Sequence, residues 1–168
     1  MALVKAGAVV DGRVYEHAIE YHSWAAIRLL LDAGANPNLL VLGRTLLCYA
    51  IDCAKDDDDH DMIRALLQGG ADVNGLKHDE NRPLHLASKR GHVSTVRLLL
   101  ESGADPHLRD GNGCWPPLHL AAQSHQPPRI IQLLLKAGAD LRIRGPGGRT
   151  ALHLALEAPG CTDKLLSV

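Results

Sequence analysis

Apolar residues along the chain fall into short runs at helical spacing, separated by polar stretches rich in glycine, asparagine, aspartate and proline. The run from Val93 to about Ser102 places Val96, Leu99 and Leu100 on one stripe and stops at Gly103, which predicts a helix with one buried face. A shorter helix is predicted before it, from Leu84 to about Arg90. Pro83 suits its first turn, because the N–H that proline lacks would be unpaired there in any case. Gly91 ends it with a left-handed residue that only glycine adopts cheaply. The polar stretch that follows Gly103 reads as an extended finger with a turn at its tip.

This unit recurs. Gly-Ala followed by Asn or Asp stands at Gly34-Ala35-Asn36, Gly70-Ala71-Asp72, Gly103-Ala104-Asp105 and Gly138-Ala139-Asp140, each after a leucine run, with glycine spacings of 36, 33 and 35. A second marker alternates with the first: Thr45-Leu46-Leu47-Cys48-Tyr49-Ala50, Arg82-Pro83-Leu84-His85-Leu86-Ala87, Pro116-Pro117-Leu118-His119-Leu120-Ala121 and Thr150-Ala151-Leu152-His153-Leu154-Ala155. With both markers in step over essentially all 168 residues, the sequence resembles the ankyrin repeat family. That family has a unit of about 33 residues, a β-turn plus two helices, with the signature Thr-Pro-Leu-His-x-Ala. Two short helices cannot bury both apolar sides alone, whereas stacked pairs can. The expected fold is therefore all-α, a solenoid of helix-turn-helix units joined by β-hairpin fingers.

Aligning the copies on the alanine of the second marker divides one domain, 1–168, into a partial unit 1–10, full units 11–42, 43–78, 79–111 and 112–146, and a partial unit 147–168. The second full unit carries four extra residues within Lys55 to His60, and the fourth carries one at Gln126-Pro127-Pro128 and another at Cys114-Trp115. Leu3 to Ala8 looks like the tail of a preceding second helix, and Lys164 to Val168 like the start of a following one. The expectation is a monomeric segment of a longer array.

The composition fits a thin solenoid. Apolar residues make up 46% of the chain but aromatic ones only 3%, with no phenylalanine, so the layers must interlock through Leu, Ile, Val and Ala. A net charge of -1 argues against a general nucleic-acid binder. No stretch reaches the roughly 18 to 20 apolar residues of a membrane span. Four cysteines in unlike contexts do not make a disulfide framework, so free thiols in a reducing, intracellular compartment are expected, with the cytoplasm as the location and the nucleus as the alternative.

Candidate chemistry is sparse. His85, His119 and His153 share one slot of the repeat, for which the resemblance implies a structural imidazole bonded across the turn and to the neighbouring unit. Cys48 stands in that slot in unit two, as a small buried packing residue. Cys48, Cys53 and His60 do not match zinc-ligand spacing. The run Asp56 to Asp61 lacks the glycine and closing glutamate of a calcium loop, and reads as a solvated loop whose Asp61 complements a helix N-terminus, the alternative being a site that recruits a basic peptide in a salt-dependent way. Gly111-Asn112-Gly113 and Gly145 to Gly148 read as finger turns rather than phosphate loops. No catalytic set is present, so neither an enzyme nor a cofactor or metal is expected.

What remains is surface. In the ankyrin family partners dock on the concave side, formed by finger tips and first helices. Carried over by position, that face comprises Glu20, Tyr21, Asp52, Lys89, Arg90, Gln123 and Ser124 from first helices, Lys77, His78, Asp79 and Glu80 at one tip, and Arg109, Asp110, Asn112 and Trp115 at the next. Trp115 occupies an inserted position, and two arrangements are open to it: exposed as a binding hot spot, or folded over a finger to fill a gap. Trp24, aligned with Val93, is expected to pack. The implied function is a non-catalytic module that binds a protein or peptide. The alternative is a regulatory or targeting segment of a larger multidomain protein.

Overall fold

The computed structural model describes residues 12–54, 60–76, 82–112, 114–124 and 127–157. Leu3 to Ala8, most of the acidic run, the tip residues Lys77, His78, Asp79 and Glu80, Cys161 and Lys164 to Val168 lie outside them. Helices come in pairs: α1 (Gly12–Glu20) with α2 (Trp24–Asp32), α3 (Leu46–Cys53) with α4 (His60–Gln68), α5 (Pro83–Arg90) with α6 (Val93–Glu101), and α7 (Pro117–Ala122) with α8 (Pro127–Lys136). A short 3-10 turn, Pro146–Gly148, leads into α9 (Ala151–Glu157), the first helix of a fifth unit. The first helices α1, α3, α5, α7 and α9 stack in order, as do the second helices α2, α4, α6 and α8. The result is the all-α solenoid of stacked units that the repeat pattern implies.

Local chemistry explains the unit. Pro83 and Pro117 open α5 and α7 at the first turn, and the Oγ1 of Thr45 accepts a bond from the Cys48 amide at the start of α3. Gly91 closes α5 with φ of 85°. Each second helix closes alike: the amides of Ala35, Ala71, Ala104 and Ala139 donate to the carbonyls of Leu30, Leu66, Leu99 and Leu134 at 2.9 to 3.0 Å. The intervening glycines have φ from 87° to 95°, the left-handed closure that a leucine-glycine-alanine sequence permits. Leu66, Leu99 and Leu134 are fully buried, so the residues that end the helices also anchor the core. Each buried leucine contributes roughly 1.5–3 kcal/mol.

The fingers are tied by side-chain amides and carboxylates. Asn36, Asp72, Asp105 and Asp140 each accept from the backbone amide two residues on, at 2.8 to 2.9 Å. Asn38 then reaches the next finger, accepting from Asp72 N at 2.8 Å and donating to Gly70 O at 3.1 Å, and Asn74 accepts from Asp105 N at 2.9 Å. His107 and Arg142 replace Asn at that position in the later fingers. In the first finger β1 (Leu40–Val41) pairs antiparallel with β2 (Arg44–Thr45).

Two expectations about single residues need correction. Trp24 does not pack away but stands 49% exposed at the start of α2, and Val93 and Pro128, which align with it, are only half-buried too. Asp110 is not a surface group at a finger tip. It is buried, and its Oδ1 accepts from Cys114 N at 2.8 Å, holding the turn.

Candidate functional site

The concave face is built from two places in each unit: the residue before the first helix's N-terminal position, and the residue two beyond the alanine of the second marker. In unit two these are Arg44 and Asp52, and in unit five Arg149 and Glu157. Arg44 Nη1 donates to Asp52 Oδ2 at 3.0 Å, and Arg149 Nη1 donates to Glu157 Oε2 at 2.6 Å. The same finger-to-helix ion pair therefore recurs at two positions along the array. Asp52 also accepts from Arg90 Nη2 of unit three through its second oxygen, so one carboxylate holds two guanidinium groups and two units.

Units three and four depart from this arrangement. Lys89 takes the carboxylate's position in unit three and Gln123 takes it in unit four, and Trp115 stands where the arginine would be. Lys89 and Gln123 are exposed, on the stacked helices α5 and α7. Lys89 has no carboxylate partner among the described residues. The middle of the concave face thus carries a lysine, an amide and an indole between two ends that hold their own acids.

Trp115 adopts the second of the two arrangements open to it, across the following finger. A Cβ placed on Gly145 would stand 2.7 Å from Trp115 Cζ3 and 2.8 Å from Cε3, so the indole lies directly on that glycine. Its centroid is 5.6 Å from that of His119, with the planes tilted by 54°. The residue as a whole is half-buried. Arg109 is exposed, and its Nη1 donates to Cys114 O at 3.0 Å while its own carbonyl accepts from Arg82 Nε at 3.0 Å. Asn112 is exposed at the tip, where its carbonyl accepts from Cys114 Sγ at 3.3 Å.

Tyr21 belongs elsewhere. It is 78% exposed just beyond α1, its ring stacked on His17 at 6.2 Å, on the wall of an apolar groove of about 440 Å³ with Val14, Ala18, Ala26, Leu29 and Leu30. The equivalents of Val14, Ala26 and Leu30 in unit two are Leu46, Met62 and Leu66, all buried in the array, so this groove is the end face of unit one. The structure accordingly places Lys89 and Gln123 on the stacked helices α5 and α7 and Arg109 and Trp115 in the finger that precedes α7, with Arg90 turned toward Asp52. Tyr21 is set apart.

The helices α5 and α7 also carry two histidines of the repeat slot. His85 Nε2 donates to Trp115 O at 2.9 Å and His119 Nε2 to Arg149 O at 3.1 Å, each reaching the finger of the next unit. Burial pushes the His85 imidazole down to about 4, against the smaller upward effect of its bond to Trp115, and lowers His119 in the same way. Both are neutral at pH 7, with the proton on Nε2 and Nδ1 left as an acceptor. In unit five Nδ1 of the exposed His153 is served by the Thr150 hydroxyl at 2.7 Å. Arg82 and Pro116 stand in the threonine's place in units three and four, and the buried Nδ1 atoms of His85 and His119 have no partner among the described residues. Cys48, Cys53 and Cys114 are free thiols.

The double role of Asp52 was legible in part: once units are aligned, Arg44 with Asp52 and Arg149 with Glu157 show the same spacing of eight. The crossing contact from Arg90 has no such signal. No helix among the described residues is long and apolar enough to cross a membrane.

Comparison with known proteins agrees with this architecture. A family model described as ankyrin repeats (3 copies) matches residues 15–110 and 84–167. Inversin of Canis lupus familiaris is 33% identical over 150 residues, which is 88% of this chain and 13% of that protein. Ankyrin repeat and SOCS box protein 16 of Homo sapiens is 37% identical over 136 residues, 79% of this chain and 29% of its own length. E3 ubiquitin-protein ligase KEG of Arabidopsis thaliana is 31% identical over 117 residues, 68% of this chain and 7% of its own. The chain therefore spans under a third of the length of each of these relatives.

Proposed function

The chain belongs to the ankyrin-repeat family, whose repeats are non-catalytic protein-interaction modules, and on that premise we propose that it binds a protein or peptide partner across the concave face of units three and four. One observation carries the choice of surface: Lys89 and Gln123 interrupt the run of internally paired acids, so this stretch offers hydrogen-bonding groups the fold itself does not use. Trp115 and Arg109 flank it with the residue types that anchor interfaces. Both are already held by the fold, which lowers the entropy lost on binding.

The test is affinity capture with the chain as bait, comparing Lys89→Glu and Gln123→Trp with Arg97→Glu and Arg129→Glu on the second helices. Loss of the bound partner for the first pair and retention for the second supports this surface. The reverse pattern moves the interface to the other side of the solenoid.

A second reading concerns context. The relatives are longer proteins in which the matched region is a small share, 7% to 29% in the three compared. On this reading the chain is the recognition segment of a multidomain protein, and any catalysis lies in other domains. Sequencing the full transcript decides it: an open reading frame limited to these residues contradicts the reading.

A further inference from the structure

The charge of the molecule is uneven along its axis. Residues 1–76 hold six Lys and Arg against eleven Asp and Glu, whereas residues 77–168 hold twelve against eight, so the near-zero total conceals an acidic first half and a basic second half. In the basic half the first-helix position that carries Asp52 and Glu157 elsewhere has no carboxylate at two consecutive units. Where units two and five place Asp52 and Glu157, units three and four place Lys89 and Gln123.

Resting on the concave-face reading above, we infer that units three and four take an acidic segment of the partner, an Asp- or Glu-bearing peptide whose carboxylates stand where Asp52 and Glu157 stand in units two and five. Lys89 supplies the unmatched charge. Gln123 donates from the adjoining helix through its side-chain amide. Arg109 uses one nitrogen on Cys114 O and keeps the rest of its five-donor fork for an incoming oxygen. Trp115, half-buried against Gly145, gives the peptide's methylene groups an apolar contact. The neighbouring guanidinium of Arg90 shows the chemistry on the protein's own residues, since it is satisfied by the carboxylate of Asp52.

A basic segment fits less well, because it would set its charge against Lys89 and Arg109 while Asp52 and Glu157, the acids at the matching positions of units two and five, are held by Arg44, Arg90 and Arg149. Exposed ion pairs add little affinity singly, so the acidic partner gains mainly selectivity and encounter rate, and its binding weakens with added salt.

The experiment uses the full chain and a displayed library of random 12-residue peptides. Enriched peptides are expected to be net acidic. Lys89→Glu should weaken them by about tenfold, the loss typical of one charge-assisted hydrogen bond. Exchanging the peptide's acids for lysines should restore binding to Lys89→Glu, and Arg129→Glu on α8 should change nothing. Neutral or basic peptides that ignore Lys89→Glu but are lost with Gln123→Trp overturn the acidic segment and leave the concave face standing. Peptides indifferent to both variants, or no enrichment at all, overturn both.

Discussion

The Nε2 of His85 donates to the main-chain oxygen of Trp115 at 2.9 Å, so the first helix of unit three holds the residue that lies over the finger leading into unit five. His119 repeats the relation with Arg149 at 3.1 Å. These bonds run along the solenoid axis, and burial holds the imidazoles that make them in the neutral form, which gives stability a defined response to acid.

In the unfolded chain a histidine titrates near 6.5. In the fold His85 titrates near 4 and His119 is lowered as well, both by burial. The unfolded state therefore takes up protons first as the pH falls. The stabilisation is fully present above about 6.5 and is lost between there and about 4, amounting to roughly 3 kcal/mol for His85 alone. Urea midpoints at pH 7.5, 6, 5 and 4.5 should fall steadily. His85→Gln with His119→Gln should flatten the profile over that window.

The orphaned Nδ1 of His119 suggests a repair. Pro116→Thr restores the arrangement that Thr150 makes with His153, supplying a hydroxyl to Nδ1 and an N-cap to α7. Pro116 has φ of -71° and ψ of 157°, which threonine adopts freely. Lost proline rigidity offsets part of the gain, leaving a net stabilisation of about 1 kcal/mol, read as a higher denaturant midpoint with unchanged slope.

Trp115 and Gly145 should be energetically coupled. Gly145 has φ of -88°, so alanine there meets no backbone strain, only the indole. Gly145→Ala should cost about 2 kcal/mol by overpacking and shift the tryptophan fluorescence. In a Trp115→Ala background the same substitution should cost almost nothing, and a double-mutant cycle reads the difference as the coupling.

The first finger holds a local conflict. Leu42 and Gly43 both have positive φ, 51° and 77°, in the tight turn between β1 and β2, and Leu42 is 74% exposed. Asparagine tolerates that conformation far better than leucine. Leu42→Asn should stabilise the chain by about 1 kcal/mol and lower its tendency to associate, visible in thermal midpoint and light scattering.

The fold was legible because its two markers are the residues that close and stack each unit. Leucine, glycine and alanine mark where a second helix ends, and His85 and His119 mark where one unit reaches the next. The site was less legible, because it depends on which groups the fold already uses. Arg90 and Lys89 are neighbours in sequence and equal in charge, yet Arg90 is spent on Asp52 of the preceding unit and Lys89 is not. Trp115 stood out as an insertion, but that it rests on Gly145 follows from how far the next finger projects. Alignment placed Trp24 in register with Val93, but register alone does not fix how much of a larger side chain is covered at the start of a second helix.

The most direct test of the account is amide hydrogen exchange on the chain with and without its captured partner. The account predicts slowed exchange in 82–91, 107–112 and 114–124, the first helices and finger of units three and four, with α6 and α8 unchanged. Protection confined to α6 and α8, or to the groove beside Tyr21, would contradict it.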